Sequence, residues 1–257
     1  MASRDTDVRE CESRYNHRDE LGRKGRGYPM MDSVSYEHPS VNRPRYSFAE
    51  VDRIVRVSPG TSRRWLKGYH FWYDTQRHEM PPVTPTAETK EAASFVDLME
   101  VAAIGELRKK GFSFKRIRRI NSYCRLYLKE PRPLVTQKFK VAGQDIFLDV
   151  DFDVLVDVGR EAGMLAWREV LRPLLEDVEY ENDLARRWWP LGREHMVVVD
   201  PDYGFGLPVV EGTGVRTEII AERHRAGDTT DEIAYDFDVT PRQINDALRW
   251  EMPKKAA

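Results

Sequence analysis

A hydroxyl three residues ahead of a carboxylate, at Ser47 and Glu50, fixes where the first helix of this chain can begin. In such a capping box the two side chains satisfy each other's backbone amides, and the helix starts directly after the hydroxyl residue. Phe48, Val51 and Val55 then recur at helical spacing, Val57 follows as a packing residue, and Ser58 is placed to cap a second helix with Pro59 at its first position. Two short helices across so tight a turn predict a helix-turn-helix. The second helix, residues 59–67, sets Thr61, Ser62, Arg63, Arg64 and Lys67 in a row, with Trp65 and Leu66 left to bury. Short hydroxyls and guanidinium forks are the groups that reach phosphates and base edges from a helix lying in the major groove.

Charge is distributed unevenly behind a near-neutral total. The 257 residues carry 41 Lys and Arg against 43 Asp and Glu, a formal net charge of -2, so a nucleic-acid surface must be local. Residues 107–129 hold nine basic side chains and no acid, whereas residues 145–183 hold twelve acids and three arginines. Two cysteines, Cys11 and Cys124, stand in unrelated contexts. They predict neither a disulfide scaffold nor a zinc site, and fit a cytoplasmic protein. No apolar run is long enough to span a bilayer. Residues 1–42 have few aliphatics and read as a disordered arm. Met30 and Met31 stand just before the first periodic segment, and a mis-assigned translation start there would explain such an arm.

After a Pro-rich connector over residues 80–86, an apolar-periodic helix runs from Phe95 to the Lys110-Gly111 stop signal. Ser113 then caps a helix over Phe114–Leu128, with Ile117, Ile120, Tyr123 and Cys124 as its buried stripe. About 80 residues, carried by Tyr46-Ser47-Phe48-Ala49-Glu50-Val51, Val57-Ser58-Pro59-Gly60-Thr61-Ser62-Arg63-Arg64-Trp65 and Gly111-Phe112-Ser113-Phe114-Lys115-Arg116-Ile117-Arg118-Arg119-Ile120, resemble the winged helix-turn-helix domain of MerR-type regulators. The resemblance implies one half-site of a palindrome gripped by Arg63, Arg64, Lys115, Arg116 and Arg119, joined by Thr61, Ser62 and Lys67. No cysteine cluster or long dimerisation helix follows.

Residues 135–141, 144–148 and 150–156 are short, alternating and β-branched, with Ala142-Gly143 as a hairpin turn, and predict a small antiparallel sheet. Asp149, Asp151 and Asp153 would share one face. Val154 stands where a calcium loop needs glycine, and Arg160 where it needs its bidentate Glu, so no metal is expected. Nor does a nucleophile or base motif accompany these carboxylates, so the chain reads as a non-enzyme that calls for no cofactor. Residues 165–175 and 183–189 read as helical pieces, and Trp167, Trp188 and Trp189 as large area for packing or an interface.

At the C-terminus, Val197-Val198-Val199 reads as a strand leading into a glycine-bounded hairpin. Gly212-Thr213-Gly214 lacks the Walker lysine and the third dinucleotide glycine, so it is not a phosphate loop. Thr217, Thr229 or Thr230, and Thr240 cap three successive helices, the last carrying Ile244, Leu248 and Trp250. Gly206-Leu207-Pro208-Val209-Val210-Glu211-Gly212-Thr213 and Gly227-Asp228-Thr229-Thr230-Asp231-Glu232-Ile233-Ala234-Tyr235-Asp236-Phe237 resemble a small bacterial antitoxin module formerly called a domain of unknown function. One departure is Gly214, where an ordinary member has Arg; here Arg216 comes two places later. The MerR-like front with this tail resembles the two-domain VapB antitoxins of type II toxin-antitoxin systems.

That resemblance implies an antitoxin that silences a PIN-like ribonuclease toxin and represses its own operon by binding operator DNA, as a homodimer. Residues 184–257 carry ten Lys and Arg against thirteen Asp and Glu, a poor match to a polyanion, so the tail is assigned to the protein partner. A planted arginine can compete for a nuclease's metal-binding carboxylates, which makes Arg216, Arg223 and Arg242 candidate plugs, with Trp250 beside them. The alternative is a stand-alone MerR-like regulator without a toxin. The expected architecture is α+β and mainly helical: a disordered arm (1–42), the MerR-like domain (43–130), a linking and dimerisation region with a small antiparallel sheet (131–192), and a C-terminal antitoxin domain of hairpin plus three helices (193–257).

Overall fold

The computed structural model describes residues 39–84, 91–128, 131–137 and 171–252, which form a mixed α/β arrangement with two small antiparallel sheets. Residues 1–38, the expected strands over 138–156 with Asp149, Asp151 and Asp153, and Trp167 lie outside the described residues. Helical structure already begins inside the segment read as an arm: α1 (Pro39–Asn42) buries Val41.

The front starts with α2 (Phe48–Val55), capped by Ser47 and Glu50 as the sequence predicts. A short turn leads to α3 (Thr61–Lys67), then to a hairpin of β1 (Tyr69–Tyr73) and β2 (Gln76–Met80). Asp74 and Thr75 at its tip both have positive φ (47° and 63°), the twist that closes a two-residue hairpin. Helices α1, α2 and α3 pack on α4 (Phe95–Lys109), which is buried along nearly its whole length. Phe95, Leu98, Ile104 and Leu107 of α4 are fully buried, as are Tyr46, Ile54, Leu66 and Ile117. A second capping box sets the start of α4. Ser94 Oγ accepts from Asp97 N at 3.1 Å, and Asp97 Oδ2 accepts from Ser94 N at 2.8 Å. Helix α5 (Phe114–Leu128) follows the turn at Gly111.

Two expectations for the middle are corrected. Val135, read as a strand start, belongs to a 3-10 turn (Pro133–Val135), and Thr136 makes only an isolated bridge to Leu184. The segment 183–189, read as helical, contains a strand, β4 (Leu184–Trp188), paired antiparallel with β3 (Val178–Glu181). Its adjacent arginines explain the difference. Arg186 and Arg187 both bind Asp200, which draws this segment beside β5 (Val197–Val199). With β6 (Pro208–Val210) the sheet has the order β3-β4-β5-β6.

Three helices close the chain: α6 (Thr217–Ala226), α7 (Thr230–Phe237) and α8 (Pro241–Glu251). Thr229 and Thr240 cap α7 and α8 through boxes with Glu232 and Gln243. Thr217 does not cap α6. It is buried inside the first turn, its hydroxyl donating to Glu251 Oε1 at 2.6 Å, and Arg216 occupies the cap position without a side-chain bond. Val210, Ile220, Ile233, Val239, Ile244 and Ala247 fill the core between these helices and β6.

Residues 37–257 form one compact unit, and side chains from α2 join its front to its back. Arg56 Nη2 donates to the Trp250 carbonyl at 2.6 Å, and Arg53 lies 3.7 Å from both Glu218 and Glu251. Just before α2, Tyr46 Oη donates to the Gly206 carbonyl at 2.8 Å. Gly206 has φ of +81°, and a β-carbon there would stand 2.4 Å from that hydroxyl, so only glycine allows the approach.

Candidate nucleic-acid and partner interfaces

The α2–α3 turn is organised by a carboxylate that the local pattern did not single out. Asp52, buried on α2, accepts from Gly60 N at 2.6 Å through Oδ2 and from Ser62 N at 2.7 Å through Oδ1. It does the work expected of Ser58, because α3 begins at Thr61 after Gly60 and has no side-chain cap of its own. We expect Asp52→Ala to cost about 2–3 kcal/mol, the value of two amide bonds to a buried carboxylate. Urea midpoints read the change; a loss under about 0.5 kcal/mol would show that the turn holds without it.

The expected DNA-facing residues divide into two groups. Arg63 and Arg64 are exposed, Arg63 over the Phe48 ring at 5.6 Å and Arg64 Nε bonded to the Gly60 carbonyl at 3.1 Å. Lys115 is exposed as well. Thr61 and Ser62, however, are buried, and Ser62 Oγ donates to the Phe48 carbonyl at 2.9 Å. The Ser62 hydroxyl thus ties α3 to α2. Lys67 is half-buried, and that burial lowers its affinity for a proton, partly offset by Asp97. Arg116 lies over Phe112 at 4.5 Å, and the side chain of Arg119 is outside the described residues.

Aromatic contacts bring these elements together. Trp65 of α3 meets Phe114 of α5 edge-on at 5.8 Å, and Arg108 caps the same Phe114 ring at 4.4 Å. The start of α5, with Lys115, therefore lies alongside α3, with Arg63 and Arg64. Arg118 ties α5 to the base of the hairpin through the Pro81 and Pro82 carbonyls, at 2.7 and 3.2 Å. Every residue of β1 is exposed, Trp72 at 73% and Tyr73 at 70%. No alternation of apolar and polar residues marks this hairpin, because its strands are open to water.

The start of α4 carries a buried ionic cluster. Arg132 donates to Asp97 Oδ1 at 2.5 Å and to Glu100 Oε2, which also accepts from Thr84 Oγ1 at 2.8 Å. Burial pushes the Glu100 carboxyl above the usual carboxylate range, against the pull of Arg132. Burial alone would weaken the hold of Arg132 on its proton, but Glu100 and Asp97 outweigh it and keep the guanidinium charged.

The C-terminal candidates stand in different surroundings. Arg223 binds Asp228 and, at 2.7 Å, Asp236, bonds that raise its affinity for a proton. It lines a shallow groove of about 490 Å³ with Asp231, Glu232 and the exposed Tyr235. Arg242 is exposed and donates to the Glu194 carbonyl at 2.7 Å, while Arg216 is half-buried where α6 begins. Trp250 is buried, with the Arg56 guanidinium 4.2 Å from its ring centroid, so it serves the front-to-back seam. The four do not share one neighbourhood. Nearby, Asp246 accepts from Met196 N at 3.0 Å and lies 2.8 Å from His195 Nδ1, tying α8 to β5. Arg249 can only donate to His195 Nε2, at 3.1 Å, so the ring proton sits on Nδ1 facing Asp246. Among the described residues no group of His, Cys, Asp and Glu could hold a metal ion, and no helix is long and apolar enough to cross a membrane.

Residues 197–250 match a family model described as a protein of unknown function, DUF433. The match covers β5 through α8, the module whose glycines and capped helices the sequence singled out. Among individual proteins, the chain is 26% identical over 227 residues to "Putative antitoxin VapB45" of Mycobacterium tuberculosis, covering 80% of this chain and 92% of that protein. It is also 26% identical over 232 residues to the uncharacterized protein Rv2308 of the same organism, covering 81% of this chain and 90% of that one. The crystal structure of Rv2018 from M. tuberculosis shares the fold, with a TM-score of 0.60, 24% identity, and coverage of 80% of this chain and 97% of that one.

Proposed function

We propose that this chain is a cytoplasmic, non-enzymatic antitoxin that binds and silences a PIN-like ribonuclease and represses its own operon as a homodimer. The observation that carries the proposal is the similarity to VapB45 over 80% of this chain and 92% of that protein. The distribution of side chains supports a division of labour. Arg63, Arg64 and Lys115 are exposed on adjoining elements of the front, suited to operator phosphates. On α7, Asp231, Glu232 and Asp236 suit a basic protein better than DNA. Fold alone would not assign DNA binding to the second helical trio.

Co-expression tests the core of the proposal. The product of the adjacent reading frame should copurify with this chain and lose its toxicity; if it does neither, the antitoxin assignment is wrong. For the DNA half, Arg63→Ala and Arg64→Ala should each weaken operator binding and reduce the slope of log K against log salt by about one. Arg242→Ala should leave the affinity within twofold. Titrations at several salt concentrations would show it, and equal losses from both ends would place DNA on the C-terminal helices too.

A further inference from the structure

Helix α7 gives the core very little. Of its 8 residues only Ile233 is buried, with Ala234 and Phe237 packed partly beside it. Asp231, Glu232, Tyr235 and Asp236 are exposed, as is Asp238 at the C-terminal cap. Residues three or four apart share one side of a helix, so Asp231 and Glu232 stand one turn before Tyr235 on the same face. Tyr235 is 89% exposed, the most open of the large apolar side chains among the described residues. A lone exposed ring is ordinary on a protein surface. This one stands in a groove whose other walls are all charged.

The charge of that groove is one-sided. Four carboxylates, Asp228, Asp231, Glu232 and Asp236, line it against one guanidinium, Arg223, a surplus of three negative charges. Arg223 is engaged by Asp228 and Asp236. Glu232 bonds to the amide and hydroxyl of Thr229, which are neutral and leave its charge in place. From residue 228 to 238 the chain has five acids and no Lys, Arg or His. His224 and Arg225 follow Arg223 on α6, but a helix turns successive residues by about 100°, which carries them out of the groove. On α8, Arg242 and Arg249 are directed to the Glu194 carbonyl and to His195 instead.

This surplus selects among partners. A polyanion is repelled by such a face. Two copies joined through it by a two-fold axis would set the same carboxylates against one another. A ribonuclease is complementary, because a protein that holds RNA must offer cations to its phosphates. A guanidinium or ammonium from that surface can lie over the Tyr235 ring while Asp231 or Glu232 accepts its hydrogen bonds.

We propose that the exposed face of α7, with Tyr235 at its centre, covers the RNA-binding cations of the ribonuclease toxin and so competes with RNA for them. The assignment rests on the antitoxin function proposed above and adds where the toxin is held. Tyr235→Ala and Asp231→Asn are the informative variants. Neither side chain supports the core, so their thermal midpoints should stay within about 2 °C of the wild type. With the product of the adjacent reading frame as probe, Tyr235→Ala should raise Kd about 30-fold and Asp231→Asn about fivefold, the latter through slower association. Glu79→Gln, the same change of net charge on the front hairpin, should stay within about twofold. A labelled, cleavage-resistant RNA oligonucleotide on the toxin should be displaced by the wild-type chain. A stable complex of all three, equal losses from Glu79→Gln and Asp231→Asn, or wild-type affinity in both α7 variants would overturn this face and leave the antitoxin function standing. No binding by the wild-type chain would overturn both. A change in oligomeric state of the free Tyr235→Ala chain, with toxin affinity kept, would assign the face to a second copy and overturn the toxin contact.

Discussion

Replacing Arg132 with Ala is expected to cost about 3–5 kcal/mol of folding free energy, because it leaves two buried carboxylates without their shared cation. Asp97 is tied to the start of α4 by the Ser94 capping box and cannot turn outward without giving up that cap. Glu100 is fully buried, and one of its oxygens, Oε1, already lacks a partner. Arg125, a nearby cation, makes no hydrogen bond through Nε or Nη2 among the described residues and is itself weakened by burial, so it offers only partial relief. Arg132→Lys should recover less than half of the loss, since an ammonium cannot span both carboxylates as a planar fork does.

The same cluster sets a pH signature. Unfolded Glu ionises near about 4.3, whereas burial holds Glu100 above that range in the folded chain. Between the two values the folded chain keeps a proton that the unfolded chain has released, so stability falls as pH rises through that window. Glu100→Gln removes the titration and should flatten the curve. Arg132→Ala removes the counter-charge, raises Glu100 further, and should therefore cost more at pH 8 than at pH 5. Urea midpoints across that range would show it. A deficit under about 1 kcal/mol, or one unchanged by pH, would mean that the carboxylates find water or Arg125 instead.

Features set by neighbours in sequence were legible; features set by distant partners were not. Ser47 with Glu50 and Thr240 with Gln243 each close a ring over three residues, and the structure forms both. Ser58 has the same local appearance, yet Asp52 from the preceding helix reaches across the turn and takes the amides first. Thr217 stands where a cap should, but Glu251 from the far end of α8 claims its hydroxyl. The pair Arg186-Arg187 hid strand β4 because its charges are compensated by Asp200, Asp202, Glu179 and Glu181. At the candidate interfaces, Arg63 and Arg64 are exposed, as a contact role requires. At Ser62 and Trp250 the residue types suggested contact, and only packing reveals that they face inward.

Trp250→Ala is the second large loss we expect, about 3–5 kcal/mol, from cavity formation at a buried indole. In a chain of this size that lowers the thermal midpoint by about 10 °C. Trp250 packs across the seam beneath Arg56, which also bonds to the Trp250 carbonyl. Burial lowers the proton affinity of Arg56 and Glu251 offsets part of it, so the guanidinium depends on its neighbours here. Arg56→Ala should cost less, about 1–2 kcal/mol for a desolvated cation over an indole. The double variant should fall short of the sum by about 0.5–1 kcal/mol, since the two side chains contact each other. Trp250→Phe keeps a ring under Arg56 and should recover most of the loss. If Trp250 instead served the toxin surface, Trp250→Ala would spare stability and abolish complex formation. Thermal melts of the free chain alongside toxin titrations separate the two, because a seam residue lowers the midpoint with no partner present.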